Sequence, residues 1–336
     1  MKFSSKYKIL LFILIATLFS NISFASDNIL FSEIKHLEDN FYKSKIRIGF
    51  HAMDLDSGRS IGYRNNESFI MASTVKVPVS IYLMNQVDEG NIDLAKMIYI
   101  DKSDLVPGSG KIGYFLTHDG LAISNANLLE LMMAISDNTA TDLIIRQLGM
   151  NNIAKFFNSY PDISLKHNIM QLFDIYYNLN HKSDKSLFEQ IAEYRSRSND
   201  ITAKYAKDFY YNKADRTTPK AMALILKDFM DGKFTSIKSR DFLLKVMSHT
   251  ENKDRLKKEV LHSSDFIHHK TGTFDYYSNK FAFVSIADVG IVKLKSCKKI
   301  IISLYLDSVD TELNAKDLEQ VLSIAARIIT DYFLFS

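Results

Sequence analysis

The sequence predicts an α+β fold: an antiparallel sheet formed by N- and C-terminal strands and flanked by helices, plus an all-helical lobe. Three observations predict it. Strand-like alternation is confined to the two ends of the chain beyond residue 25, helical periodicity fills the middle, and an amphipathic helix closes the sequence. No internal repeat and no Gly/Ser linker divides the chain. One interleaved catalytic-sized domain over 26–336 is therefore expected. Its α/β lobe takes in about 26–70 and 256–336, and its helical lobe about 71–255.

Residues 1–25 read as an export signal. Lys2, Lys6 and Lys8 make a basic start, Ile9 to Phe19 an apolar stretch, and Ser23-Phe24-Ala25 a small-x-small cleavage site, so the mature chain is expected to begin at Ser26. The apolar stretch is shorter than the roughly 20 residues that span a bilayer, so no stable membrane anchor is expected after cleavage. "KIRIGFHAMDLDSG" then alternates as a strand and ends in the turn Asp56-Ser57-Gly58, and "RSIGYRNN" reads as its hairpin partner. "STVKVPVSIYLMNQVDEG" has apolar residues at helical spacing and a Gly stop. "SNANLLELMMAISDNTATDLIIRQLGM" holds two helical segments that flank Ser136. The stretch 152–213 is less regular and rich in Tyr, Phe, Asn and Lys, with helix-like pieces such as "SLFEQIAEYRSRS"; it reads as a remodelled or inserted segment, or a lid. "NKFAFVSIADV" and "KIIISLYLDS" are strands, and "AKDLEQVLSIAARIITDYFL" is the closing helix.

Composition excludes several classes of function. The chain has 336 residues, 46% hydrophobic and 24% charged, enough for a large core. Lys+Arg 42 against Asp+Glu 39 leaves a formal net charge of +3, and no dense basic stripe marks a nucleic-acid binder. The single cysteine, Cys297, permits no intramolecular disulfide and reads as an incidental thiol. His268 and His269 are adjacent on a strand candidate, so they point to opposite faces and cannot both chelate; no metal and no cofactor is expected.

Three short motifs carry chemistry. In "ASTVKVP", Ser73 and Lys76 stand at i and i+3, on one face of a helix. A lysine among apolar neighbours has its charged form disfavoured, and the partly neutral amine can take a proton from the serine hydroxyl. If Ser73 opens the helix, its N–H is unpaired and can face an oxyanion. Pro78 is awkward there because it removes a helix donor. Ser136-Asp137-Asn138 sits between two helical segments, where Ser and Asp also serve as plain N-caps. Lys270-Thr271-Gly272-Thr273 offers a cation, hydroxyls and a small residue on an edge strand, which can hold a carboxylate while the backbone docks an extended ligand; a plain turn would look the same in isolation.

Taken together and in this order, Ser-x-x-Lys, Ser-Asp-Asn and Lys-Thr-Gly resemble the motif set of class A serine β-lactamases and penicillin-binding proteins. "DLVPGSGKIGYFL" at 104–116, "ADRTTPKAMALILKDFMDGKFTSIKSRDFLLKVM" at 214–247 and "ENKDRLKKEV" extend the likeness over roughly Ile46 to the C-terminus, except the middle of 152–213. The resemblance implies a β-lactamase/transpeptidase-like fold. It implies Ser73 as the acylated nucleophile, Lys76 as proton acceptor and Ser136 as the proton relay to the leaving nitrogen. It gives Asn138 to the ligand's amide side chain and Lys270, Thr271, Gly272 and Thr273 to its carboxylate, with the N–H groups of Ser73 and Thr273 as the oxyanion hole.

The sequence also departs from the family. Class A enzymes deacylate with a Glu in a Glu-x-x-x-Asn pattern before the Thr-Thr segment, and none occurs between Asn138 and Thr217. Asp208 with Asn212 keeps the spacing, which makes Asp208 the tentative deacylation base although its side chain is shorter and displacements of about 1 Å matter at such a step. Glu189 and Glu193 stand at the wrong spacing. The family's Arg on the strand after Lys-Thr-Gly is missing from Ser278-Asn279-Lys280; Lys280 could replace it only as a point charge. Two functions are expected from this pattern, each in an exported, periplasmic or secreted monomer that binds no nucleic acid. One is a serine β-lactamase hydrolysing a small β-lactam. The other is a D,D-peptidase-like hydrolase on peptidoglycan peptides with poor lactam turnover. A sensor that acylates without turnover is the weakest of the readings, since no fused signalling segment supports it.

Overall fold

A computed structural model of the chain describes residues 26–39, 46–116, 118–180, 185, 187–309 and 313–335. The expected export signal, residues 1–25, lies outside them. Among the described residues no helix is long and apolar enough to cross a membrane.

The strand-like ends do meet in one sheet. Its five strands run in the order Ser60–Tyr63, Ile46–Asp54, Lys299–Ser308, Ala282–Leu294, Ser264–Tyr277, each pair antiparallel. The two central C-terminal strands are apolar almost throughout because both faces of the sheet are covered. A helix over 26–39 and the closing helix Ala315–Phe335 cover one face. Leu318, Val321, Leu322, Ile329 and Phe333 of the latter recur at helical spacing and are buried. Each such side chain contributes roughly 1.5–3 kcal/mol on burial. The other face packs against the helices Pro219–Met230 and Ile237–Ser248 and the turn Ala72–Val75, and the helices Lys76–Asp88, Asn125–Ala134 and Asn138–Leu148 join the same core. The strand carrying Lys270 to Thr273 ends the sheet, so one of its edges is open to a ligand.

The irregular stretch 152–213 is more helical than its sequence suggested, with helices Ile169–Tyr177, Leu187–Ser196 and Asn199–Asp208 and a π-helical turn Phe209–Lys213. The first of these starts cleanly because Asn168 and Gln171 form a reciprocal capping box, and it ends at Asn178 in a left-handed conformation. The stretch leaves and rejoins the body through a narrow neck. Ser164 N donates to Arg216 O (2.7 Å), Thr218 N to Asp162 O (3.2 Å), and the buried Asp215 carboxylate accepts the backbone N–H groups of Lys166 and His167 and pairs with the His167 ring at 2.9 Å. Beyond the neck it packs by aromatic contacts around Tyr176, Phe209 and Tyr210, and Tyr210 Oη donates to Asp307 Oδ2 in the sheet (3.0 Å).

Candidate active site

Ser73 lies in a 3-10 turn, Ala72–Val75, that runs straight into the helix Lys76–Asp88. The turn is pinned: Met71 N donates to Asp215 O, and the Thr74 hydroxyl donates to Met71 O (2.7 Å) and meets Tyr305 Oη (3.1 Å). Ala72, just before the nucleophile candidate, holds φ at +45°, a left-handed conformation that costs a non-glycine residue of order 1–3 kcal/mol. Pro78 is less disruptive than its position in the sequence suggested. It sits in the first turn of the α-helix, where backbone N–H groups have no helical acceptor.

Lys76 is fully buried and its amine is the hub of the site. Nζ donates to Ser73 Oγ (3.2 Å), Ser136 O (2.7 Å), Ser136 Oγ (3.0 Å) and Asn138 Oδ1 (2.8 Å). Burial holds this amine well below the usual lysine range, and the Lys270 charge pushes the same way against Asp137 and Asp142. Ser136 reaches it from a left-handed backbone, φ +61°, which turns both its carbonyl and its hydroxyl toward Nζ. The plain capping role falls to the middle residue of the motif. Asp137 Oδ1 caps the Asn138–Leu148 helix by accepting Ala140 N (2.9 Å), while Oδ2 accepts Lys111 N and Ile112 N and fastens the loop that faces the site. Asn138 Nδ2 donates to Pro107 O in that loop (2.8 Å).

The third motif closes in from the edge strand. Gly272 permits the approach: a Cβ there would stand 2.8 Å from Met71 O and 3.1 Å from Thr74 N, so any side chain would push the strand off the nucleophile turn. Lys270 is also buried. Its Nζ donates to Ser136 Oγ (3.1 Å) and Thr271 O (2.8 Å), so one hydroxyl bridges two amines. Burial lowers the Lys270 amine to about 7, against the raising pull of Asp288 and with the help of Arg255. Arg255 is the residue that sequence reasoning missed. Its guanidinium is buried, donates to Gly272 O (2.6 Å) and Ala287 O (3.0 Å), reaches the Thr273 hydroxyl, and is held by Glu319 (3.0 Å). It arrives from the turn before the edge strand, inside "NKDRLKK", where nothing in the spacing sets it apart. Lys280, the substitute the sequence offered, is exposed and faces Asp200 at 3.6 Å.

Ser73, Lys76, Ser136, Asn138, Lys270, Thr271, Gly272 and Thr273 are thus brought together; Asp208 is not. It is exposed at the end of the Asn199–Asp208 helix and accepts from Asn212 Nδ2 (2.7 Å), so the spacing that singled it out is an ordinary i, i+4 helix pair. The cavity beside Ser73, about 230 Å³, is walled on that side by Ile169, Leu172, Phe173, Tyr176 and Tyr177. Glu193 is exposed and paired with Lys185 (2.6 Å), and Glu189 is exposed on the same helix. The start of the Ile169–Tyr177 helix is held from beneath by Asp142, which accepts Ile169 N and Met170 N (both 2.8 Å); burial raises its carboxyl to about 6.

The chain is similar to known proteins. The sequence profile of the Beta-lactamase enzyme family matches residues 30–333. The chain belongs to that family. It is a class A-like serine hydrolase. VEB-1, a β-lactamase of Pseudomonas aeruginosa, is 26% identical over 304 residues, 88% of this chain and 89% of its own. Among solved structures, a β-lactamase from Chitinophaga pinensis superposes with a TM-score of 0.69 at 22% identity, covering 90% of this chain and 98% of its own. PBP-A superposes at 0.66 with 21% identity, covering 91% and 96%. At these identities the two structures speak for the β-lactamase-family fold alone.

Proposed function

We propose that the chain is an exported serine β-lactamase that opens the lactam amide through a Ser73 acyl-enzyme, without metal or cofactor. One observation carries the reading: a buried, uncharged-leaning Lys76 amine within reach of both Ser73 Oγ and Ser136 Oγ. Lys76 takes the Ser73 proton as Oγ attacks the lactam carbonyl, and the N–H groups of Ser73 and Thr273 face the oxyanion. Ser136 passes a proton to the leaving nitrogen. Lys270, with the Thr271 and Thr273 hydroxyls and Arg255 behind them, holds the ligand carboxylate. Water then hydrolyses the ester. Export rests on the signal-like residues 1–25.

A second reading, a D,D-peptidase-like hydrolase that turns lactams over poorly, is favoured by one feature: the residues of the 169–177 helix that line the Ser73 cavity, Ile169, Leu172, Phe173, Tyr176 and Tyr177, carry no carboxylate, and Asp174 of that helix is not among them. Purified mature chain with a chromogenic cephalosporin separates the two. Steady hydrolysis is expected; a burst of one equivalent with a lasting acyl adduct transfers the protein to the second reading. Ser73→Ala is expected to form no adduct, and an undiminished adduct in that variant removes Ser73 from the mechanism.

A further inference from the structure

A buried carboxylate lies beneath the strand that carries Lys270. Asp288 stands on the neighbouring strand, directly opposite Thr271. Lys270 and Gly272 turn toward the nucleophile, so by alternation Thr271 and Asp288 share the other face of the sheet. Asp288 and His269 are both fully buried. The His269 ring meets the carboxylate with Nδ1, 2.8 Å from Oδ1 and 3.0 Å from Oδ2, and Leu256 N donates to Oδ2 (3.1 Å). His269 Nε2 is buried with no hydrogen-bond partner among the described residues. A second N–H there would have no acceptor, so the ring donates from Nδ1 as a neutral imidazole and leaves the carboxylate's charge uncancelled. Gly290, opposite His269, makes room for this: a Cβ there would stand 2.7 Å from His269 Cα and Cβ.

A negative charge in a dry interior is costly unless a cation answers it. Arg255 already has Glu319 at 3.0 Å. Lys270 has no such partner in its own hydrogen bonds, which go to the uncharged Ser136 Oγ and Thr271 O. Its amine feels Asp288 in favour of the ammonium and Arg255 against it, while Lys76 is a like charge across the Ser136 hydroxyl. On the far side Lys257 also feels Asp288, but its amine is spent on Ser248 O and Thr250 O. On the ligand side Lys111 and Glu251, opposite in sign, line the open cleft.

We propose that Asp288 is a positioning residue for the carboxylate grip: from beneath the strand it is the counter-charge of Lys270, and through Leu256 N it seats the turn that brings Arg255 to Thr273. The inference rests on the reading that Lys270 holds the ligand carboxylate. The placement suits that duty. A carboxylate touching Lys270 would compete with the ligand's own, whereas one behind the strand favours the ammonium and leaves its ligand face free.

The test is the pH profile of acylation by a chromogenic cephalosporin on the full mature chain, read as kcat/KM, which reports the free enzyme. Removing the negative charge disfavours the ammonium, so the alkaline limb, at about 7 in the unaltered protein, moves to lower pH. Asp288→Asn keeps an acceptor for His269 and Leu256 N. It is expected to move the limb by about one pH unit, with little change at about pH 5.5 and a loss of about tenfold at about pH 8. Asp288→Thr, neutral and well suited to a strand, is expected to do the same and serves where the first variant does not fold. A limb that stays in place in a folded variant, or a loss equal at both pH values, makes Asp288 a packing residue and overturns the inference. An unaltered chain that acylates with no alkaline limb removes Lys270 from carboxylate binding instead, and one that does not acylate overturns the Ser73 reading.

Discussion

Two walls of one cavity are built on opposite principles. On the Lys76 side, two buried amines, two serine hydroxyls and the Asn138 amide satisfy one another at 2.8–3.2 Å. On the 169–177 side the lining is almost wholly aliphatic and aromatic, and its polar groups are turned away: Asn168 and Gln171 cap each other and Asp142 holds the backbone from beneath. The first wall can move protons, while the second can only shape, desolvate and hold. On the proposed reading, making the acyl-enzyme falls to the first wall, and the two walls come from segments far apart in sequence.

The sharpest way to break this division is Lys76→Met, which keeps the volume and removes the amine. Acylation is expected to slow about 10²–10⁴-fold, measured as the rate of covalent adduct formation; a rate within a few-fold of the unaltered protein would mean the polar wall is not the proton acceptor. A smaller effect is expected from pH. Lys270 must be charged to hold a carboxylate, and its amine lies at about 7 in the free site. As pH rises through about 7 the ammonium is lost, so kcat/KM should fall by up to about tenfold per pH unit. A bound carboxylate favours the charged form, so the corresponding limb in kcat should lie at higher pH. Coincident limbs would show that Lys270 does not face the ligand's charge. The smallest effect belongs to Asp208→Asn. An exposed helix pair outside the cavity lining should change stability by no more than about 0.5 kcal/mol and leave the lifetime of the acyl-enzyme as it is, and a trapped acyl-enzyme in that variant would reinstate the carboxylate.

The polar wall was largely legible in the sequence because each of its pieces is local: a hydroxyl and an amine one helical turn apart, a cap motif between two helices, a cation and a glycine on a strand. The α+β class was legible for the same reason, since alternation of period two and the helical period survive in single segments. What could not be read depends on where segments meet. Arg255 is one basic residue in a basic turn, and only the folded chain brings it under Thr273. Phe173, Tyr177 and Phe274 look like core residues from their sequence, and all three do pack against the core while also lining the cavity. Asp208 was misread because spacing was matched to a loop pattern in a stretch that folds as a helix, where a separation of four residues means only the next turn.

The neck at Ser164 and Arg216 gives the 152–213 segment one more property. Its two ends are already side by side, clasped by His167 and Asp215, so whatever length of chain lies between them starts and finishes at the same place. Adding or trimming residues there changes the closure entropy only slowly, by about 0.6 kcal/mol per doubling, and leaves the route of every other segment untouched.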